Sequence, residues 1–141
     1  MIAMGTILET RNLQKYFSVK AGILHAVDGV TFTLNEGETL GVVGESGCGK
    51  STLGRVIIHL LESTGGEILY KGEDITKINR AKLTELRHDM QMIFQDPFSS
   101  LNPRRTIFQS IAEPLEIAGG YKDVYKRQVP DAEPSEEAQN S

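Results

Sequence analysis

Residues 44–51 read Gly-Glu-Ser-Gly-Cys-Gly-Lys-Ser, which fits the spacing G-x-x-x-x-G-K-[ST] of a phosphate-binding loop. No other stretch of the chain constrains the fold as tightly. A loop of this kind works where a buried strand delivers it and a helix carries it away. The flanks supply both. Thr39-Leu40-Gly41-Val42-Val43 is a short apolar run, as a buried parallel strand shows, and Leu53 to Leu61 is apolar enough for a core helix. The predicted fold class is therefore α/β, with a RecA-like P-loop core.

The residue types follow from the expected ligand. Glycines at 44, 47 and 49 let the backbone approach an anion without a Cβ clash. The N–H groups of Gly44, Glu45, Ser46, Gly47, Cys48 and Gly49 then face a β-phosphate, and the helix starting near Lys50 adds its positive end. Lys50 reaches the β- and γ-phosphate oxygens. Ser51 offers a hydroxyl to Mg²⁺, and Thr52 is an extra donor to the α-phosphate. The ligand this implies is a nucleoside triphosphate with Mg²⁺.

Length and charge set outer limits. The 141 residues suit one domain on the usual scale of about 100–200 residues. No apolar run approaches the roughly 20 residues of a membrane span, and Met1-Ile2-Ala3-Met4-Gly5 lacks a basic, then apolar, leader pattern. Cys48 is the single cysteine, which excludes an internal disulfide and fits a reducing compartment. The formal net charge of −4 resides in Asp131, Glu133, Glu136 and Glu137, so residues 1–128 are neutral. A neutral body gives no reason to expect a nucleic-acid partner. His25, His59 and His88 are scattered without metal-ligand spacing and read as surface or core-edge residues.

Periodicity predicts the remaining elements. Ile7 to Phe17 is a strand candidate, and the Val30-Thr31-Phe32-Thr33-Leu34 alternation marks a half-buried strand within Ile23 to Leu34. Asn35-Glu36-Gly37 is turn chemistry. Glu67 to Tyr70 reads as a strand before a Lys71-Gly72 turn. Asn79 caps a short helix through Arg87, with Leu83 and Leu86 inward. Met90 to Phe94 is another buried-strand candidate. Thr106 to Ala118 is a helix that Pro114 would kink, and Glu113 and Glu116 form its solvated face.

Four segments, in order and at suitable spacing, resemble the nucleotide-binding subunit of ABC transporters. They are Leu13-Gln14-Lys15-Tyr16-Phe17, Ala26 to Phe32, Gly37 to Arg55, and Ile93-Phe94-Gln95-Asp96-Pro97. Phe94-Gln95-Asp96-Pro97 followed by Ser100-Leu101-Asn102-Pro103-Arg104 is similar to the oligopeptide, dipeptide and nickel importer group. The resemblance covers about residues 6–121. It implies an ATP-binding domain with an N-terminal antiparallel β subdomain, truncated before its helical subdomain is complete. It also implies a peripheral position on the cytoplasmic face of a prokaryotic membrane.

The resemblance carries roles onto single residues. Phe17 takes the aromatic position that stacks on adenine, and Tyr16 takes it if the register slips by one. Gln95 matches the Q-loop glutamine, which helps hold Mg²⁺ and the attacking water. An amide that both accepts and donates suits that pair. Residues near Asp96 to Arg105 would face a transmembrane permease subunit. A second ATPase subunit would join in a head-to-tail dimer, and a solute-binding protein would act indirectly. A stand-alone P-loop phosphotransferase or nucleotide-binding module is the alternative, and it requires neither Phe17 nor Gln95.

The family pattern continues with an LSGGQ-type signature, a Walker B strand ending in Asp-Glu and a switch histidine. This chain carries none of the three strings. The expectation is half of an active site, an incomplete sheet with an exposed edge, and no hydrolysis by this chain alone. Residues 122–141 read as a non-native or disordered tail. Asp123-Val124-Tyr125-Lys126-Arg127-Gln128 matches an in-frame sequencing adapter, and Val129 to Ser141 is acidic and free of aromatics.

Overall fold

The alternation before the glycine loop folds as it predicts. In the computed structural model, which describes residues 5–47, 49–96, 98–117 and 119, two long strands form there. Cys48, Pro97, Ala118 and the tail 122–141 lie outside the described residues, so the expectations placed on them do too. Strands β1 (Thr6–Val19) and β2 (Gly22–Asn35) pair antiparallel along their length, closed by Lys20-Ala21. β3 (Gly65–Tyr70) pairs antiparallel with the other edge of β1, and β4 (Glu73–Asp74) extends β3. The sheet order is β2-β1-β3-β4. Lys71 (φ 47°) and Gly72 (φ 80°) are both left-handed, as a two-residue hairpin turn demands. A two-residue β4 carries no periodicity, and the sequence did not predict it.

Among the described residues there are three helices: α1 (Lys50–Ile57), α2 (Arg80–Asp89) and α3 (Ile107–Ile117). Leu8, Leu13, Val27 and Ile68 from the sheet form one core with Leu53 and Val56 of α1, Ile75 and Leu86. Thr10 is the buried polar exception. Its hydroxyl donates to the Val30 carbonyl and accepts from the Phe32 N–H, both at 3.2 Å. Asn79 caps α2 as predicted, its Oδ1 accepting from the Lys82 N–H at 2.9 Å.

α1 is shorter than its apolar text suggested. It stops at Ile57, and the Leu60 and Leu61 N–H groups both return to the Arg55 carbonyl. His59 sits in this turn at φ 56°, half-buried, with Nε2 buried and unpartnered.

Two predicted buried strands do not form. Residues 39–43 and 90–94 have no strand structure, and Val43 and Ile93 are 96% and 97% exposed. The cause is physical. A parallel strand is held only by neighbours distant in sequence, and among the described residues neither run has one. The apolar composition suggests a strand, but composition supplies no partner.

Residues from Ile93 onward form a separate unit. The Asp96 carboxylate accepts from the Phe98 N–H at 3.1 Å, and its carbonyl accepts from the Ser99 hydroxyl at 3.0 Å. Thr106 and Gln109 cap α3 reciprocally: the Thr106 N–H donates to Gln109 Oε1 at 3.0 Å, and the Gln109 N–H to Thr106 Oγ1 at 3.2 Å. α3 runs through Pro114 and buries no residue. Glu113 pairs with Arg105 at 2.8 Å on the solvated face of α3, as its reading expects.

Candidate functional site

The glycine loop enters α1 with the geometry its residues suggest. Gly47 (φ 80°) and Gly49 (φ 98°) are both left-handed, a conformation that side-chain-bearing residues resist. Gly49 is the N-cap of α1, with no side-chain cap, and the first turn holds no acid. Its carbonyl accepts the first helical bond, from the Leu53 N–H at 2.8 Å. An uncapped helix start offers N–H groups and a positive end to an anion. A Cβ on Gly49 would overlap the Ala26 carbonyl oxygen, so this glycine also lets the loop seat directly on β2.

Lys50 lies along the same loop. Its ammonium donates to the Glu45 carbonyl at 2.8 Å and to the Gly44 carbonyl. Gly44, Glu45, Ser46, Gly47 and Ser51 are exposed, and Gly49 and Thr52 are half-buried. The structure thus brings the loop residues and the first turn of α1 together. Gln95 is an exposed residue of the second unit, at a bend before the Asp96 turn.

The two adjacent aromatics lie on opposite faces of the sheet. Lys15 is paired across from the buried Val27, and its ammonium sits 5.1 Å from the Phe17 ring centroid. Phe17 therefore lies on the face of Val27 and Leu13, which packs against Leu53 and Val56 of α1. Tyr16 points the other way. Its ring stacks on His25 with centroids 4.0 Å apart and 20° between planes. Its hydroxyl donates to Asp28 Oδ1 at 2.5 Å, and His25 Nδ1 lies 3.3 Å from Asp28 Oδ2. The Tyr16 bond, aided by His25, holds the Asp28 carboxyl below its ordinary range, and the same bond raises the Tyr16 phenol.

Sequence reasoning missed Ala26 and Asp28 as partners of the site. Neither belongs to a chemical motif. Only the strand register shows that Ala26 meets the loop and that Asp28 meets Tyr16. A separate cavity of about 240 Å³ lies between the β3–β4 turn and α2. On its rim Lys82 pairs with Glu73 and Lys71 with Asp89, Glu85 adds a further carboxylate, and no glycine-loop residue lines it.

Comparison with known proteins fits this geometry. Residues 27–140 match the ABC transporter family. The chain is 51% identical over 124 residues to the oligopeptide transport ATP-binding protein AppF of Bacillus subtilis (strain 168), covering 82% of this chain and 38% of that protein. It is 51% identical over 120 residues to the glutathione import ATP-binding protein GsiA of Shigella dysenteriae, covering 80% of this chain and 19% of that protein. Among solved structures, the ATP-binding cassette MJ0796, dimeric and bound to ADP and Pi, superposes with a TM-score of 0.71 at 28% identity, covering 82% of this chain and 49% of that one. The chain thus spans less than half the length of these relatives. A glycine loop seated on β2, the extent of the family match and half-identical relatives agree: the chain belongs to the ABC transporter family.

Proposed function

We propose that this chain is the N-terminal part of an importer ATPase, one that binds MgATP at residues 44–52 and serves the uptake of peptides or related small solutes. The observation that carries the reading is the left-handed Gly49, N-cap of α1, pressed against the Ala26 carbonyl beside the Lys50 ammonium. That arrangement is built for a chain of phosphates. The AppF and GsiA names supply the solute class.

Each residue then has a task. The loop N–H groups and the α1 terminus cradle the β-phosphate. Lys50 turns from the Gly44 and Glu45 carbonyls to the β- and γ-phosphate oxygens, a local rotation of a flexible side chain. Thr52 donates to the α-phosphate, and Phe17 supports the adenine face. Ser51 would offer its hydroxyl to Mg²⁺, which would neutralise phosphate charge, and Gln95 keeps the metal-and-water role that the family resemblance assigns it. The carboxylates of Walker B and the signature motif of a second subunit complete the site, and this chain supplies neither.

Partners follow the same logic. Phe98 and Leu101 are 86% and 59% exposed within the 96–105 turns, a surface fit for a permease subunit. No helix among the described residues is long and apolar enough to cross a membrane. The subunit would act at the cytoplasmic face through that permease.

Two measurements test the reading. MgATP binding by the full chain is expected to fall at least tenfold in Lys50→Ala, and equal binding by both proteins overturns the site. Turnover is expected at background. Hydrolysis that Lys50→Ala abolishes would overturn the view that half a site is inactive.

A further inference from the structure

We propose that Asn12 is a positioning residue: the one-residue bulge it forms in β1 decides that Phe17, and not Tyr16, faces the phosphate-loop side of the sheet. The proposal rests on the nucleotide reading above and concerns the base, which that reading does not explain.

Side chains on a strand alternate faces, so a residue's parity fixes its side. Up to residue 10 the even positions of β1 point inward, with Leu8 and Thr10 buried. Beyond residue 12 the odd positions do, with Leu13 fully buried and Lys15 opposite the buried Val27. The parity changes between them, and both neighbouring strands register the change. Against β2, Thr10 pairs with Phe32 but Leu13 with Val30, so two residues of β1 oppose Thr31 alone. Against β3, Arg11 pairs with Glu67 and Gln14 with Gly65, so the same extra residue appears again.

Asn12 is that residue. Its φ is 48°, which marks it as the left-handed member of a bulge. Asparagine tolerates this conformation better than most residues with a side chain. The bulge is held on both sides. The Asn12 N–H donates to Thr31 Oγ1 at 2.8 Å, and Gly66 lies so close that a Cβ there would overlap the Asn12 carbonyl. Had β1 run straight from Thr10, the even residues Gln14 and Tyr16 would face α1, and Phe17 would face away. Adjacent aromatics thus exchange roles through a single extra residue earlier in the same strand.

Of the four shifts in the β1–β2 ladder, the one nearest the aromatics complements the Asn12 bulge. Between the Lys15–Val27 and Tyr16–His25 pairs, β2 has one residue more than β1, and that residue is Ala26. Its carbonyl is the surface on which Gly49 sits. One bulge therefore chooses the aromatic, and the other seats the loop.

The test compares MgATP with magnesium tripolyphosphate, which lacks a base, by calorimetry on the full chain. The readout is the ratio of the two affinities. In the native chain Phe17→Ala should lower that ratio about tenfold, the scale of one base stacked on an aromatic, while Tyr16→Ala leaves it unchanged. Asn12→Gly, which keeps a left-handed φ, should behave as the native chain. Asn12→Val, whose branched side chain resists φ above zero, should lower the ratio about tenfold with tripolyphosphate affinity retained.

Deletion of Asn12 removes the bulge together with its residue, so Leu13 and Phe17 keep their face, and the ratio should return to within about threefold of native. A deletion that loses the ratio as fully as Phe17→Ala overturns the proposal, as does a Tyr16→Ala loss greater than that of Phe17→Ala. The aromatic pair reports even if Asn12→Val does not fold. If Lys50→Ala leaves both ligands bound as in the native chain, the nucleotide reading itself fails. If only the base-dependent ratio misbehaves, the fault lies with Asn12.

Discussion

Leu13 of β1 and Val43 before the glycine loop are both apolar residues in strand-like text, yet one is 0% exposed and the other 96%. The antiparallel sheet runs β2-β1-β3-β4 and is built largely from hairpins. β1 meets β2 through a two-residue turn and β3 meets β4 through another, so most partners are close in the chain. Residues 39–43 and 90–94 read as strands of a parallel sheet, whose neighbours would arrive only after long crossovers, and among the described residues they pair with no strand. Composition can mark a residue for burial, but topology decides whether anything arrives to bury it. The same contrast holds for helices. α2 has a side-chain cap and buries Leu86, whereas α3 has a fuller cap and buries nothing.

The largest test of this contrast is a pair of truncations. Leu13→Ala should lower unfolding stability by about 2–5 kcal/mol, and Val43→Ala by no more than about 0.5 kcal/mol. Urea midpoints would show it, and equal losses would break the comparison. Next come the loop glycines. Gly49→Ala combines a left-handed φ with overlap on Ala26, so its cost should lie near the top of about 1–3 kcal/mol. Gly47→Ala shares the φ sign but meets open space, and should cost less. A larger effect at Gly47 would show that the loop is not seated on β2.

The caps give a smaller effect. Asn79→Ala should cost about 1 kcal/mol of the sheet unit's stability. Thr106→Ala removes comparable bonds from α3, and should reduce its helicity by circular dichroism while leaving the main urea transition in place. A shift of that transition would mean that α3 packs more than it shows. The smallest effect is set by pH. Burial, aided by Arg87, lowers the His59 pKa below its ordinary 6.5. The unfolded chain therefore takes the proton first, and stability should decline as pH falls from about 6.5 to the lowered folded-state value, then level off. His59→Gln should flatten that part of the stability profile, and an unchanged slope would remove His59 as its cause.

Much of this was legible in the sequence, for reasons that can be stated by residue. Val30 to Leu34 alternates, Asn79 is a capping residue before Leu83 and Leu86, and the glycines of 44–49 announce left-handed turns. Parity was not legible. Nothing in Arg11-Asn12 as text says that a residue will bulge, so the choice of Phe17 over Tyr16 rests on resemblance in the sequence and on the two ladders in the structure. The Thr106-x-x-Gln109 box is legible in the text, but the helix there was expected from its apolar spacing alone. Lys71-Gly72 was recognised as a turn, while the two residues of β4 beyond it were too few to carry a period.

The order of the chain adds a consequence for how the molecule is made. Ala26 precedes Gly49, so the ribosome produces the receiving surface before the loop that rests on it. Hairpins sample their pairings in about 1–10 μs, while synthesis adds roughly 5–20 residues per second. The β1–β2 register, with its four irregularities, can thus be tried many times over before the phosphate-binding residues emerge. An error in that early pairing would misplace the loop from its first moment, although every residue of the motif would be intact.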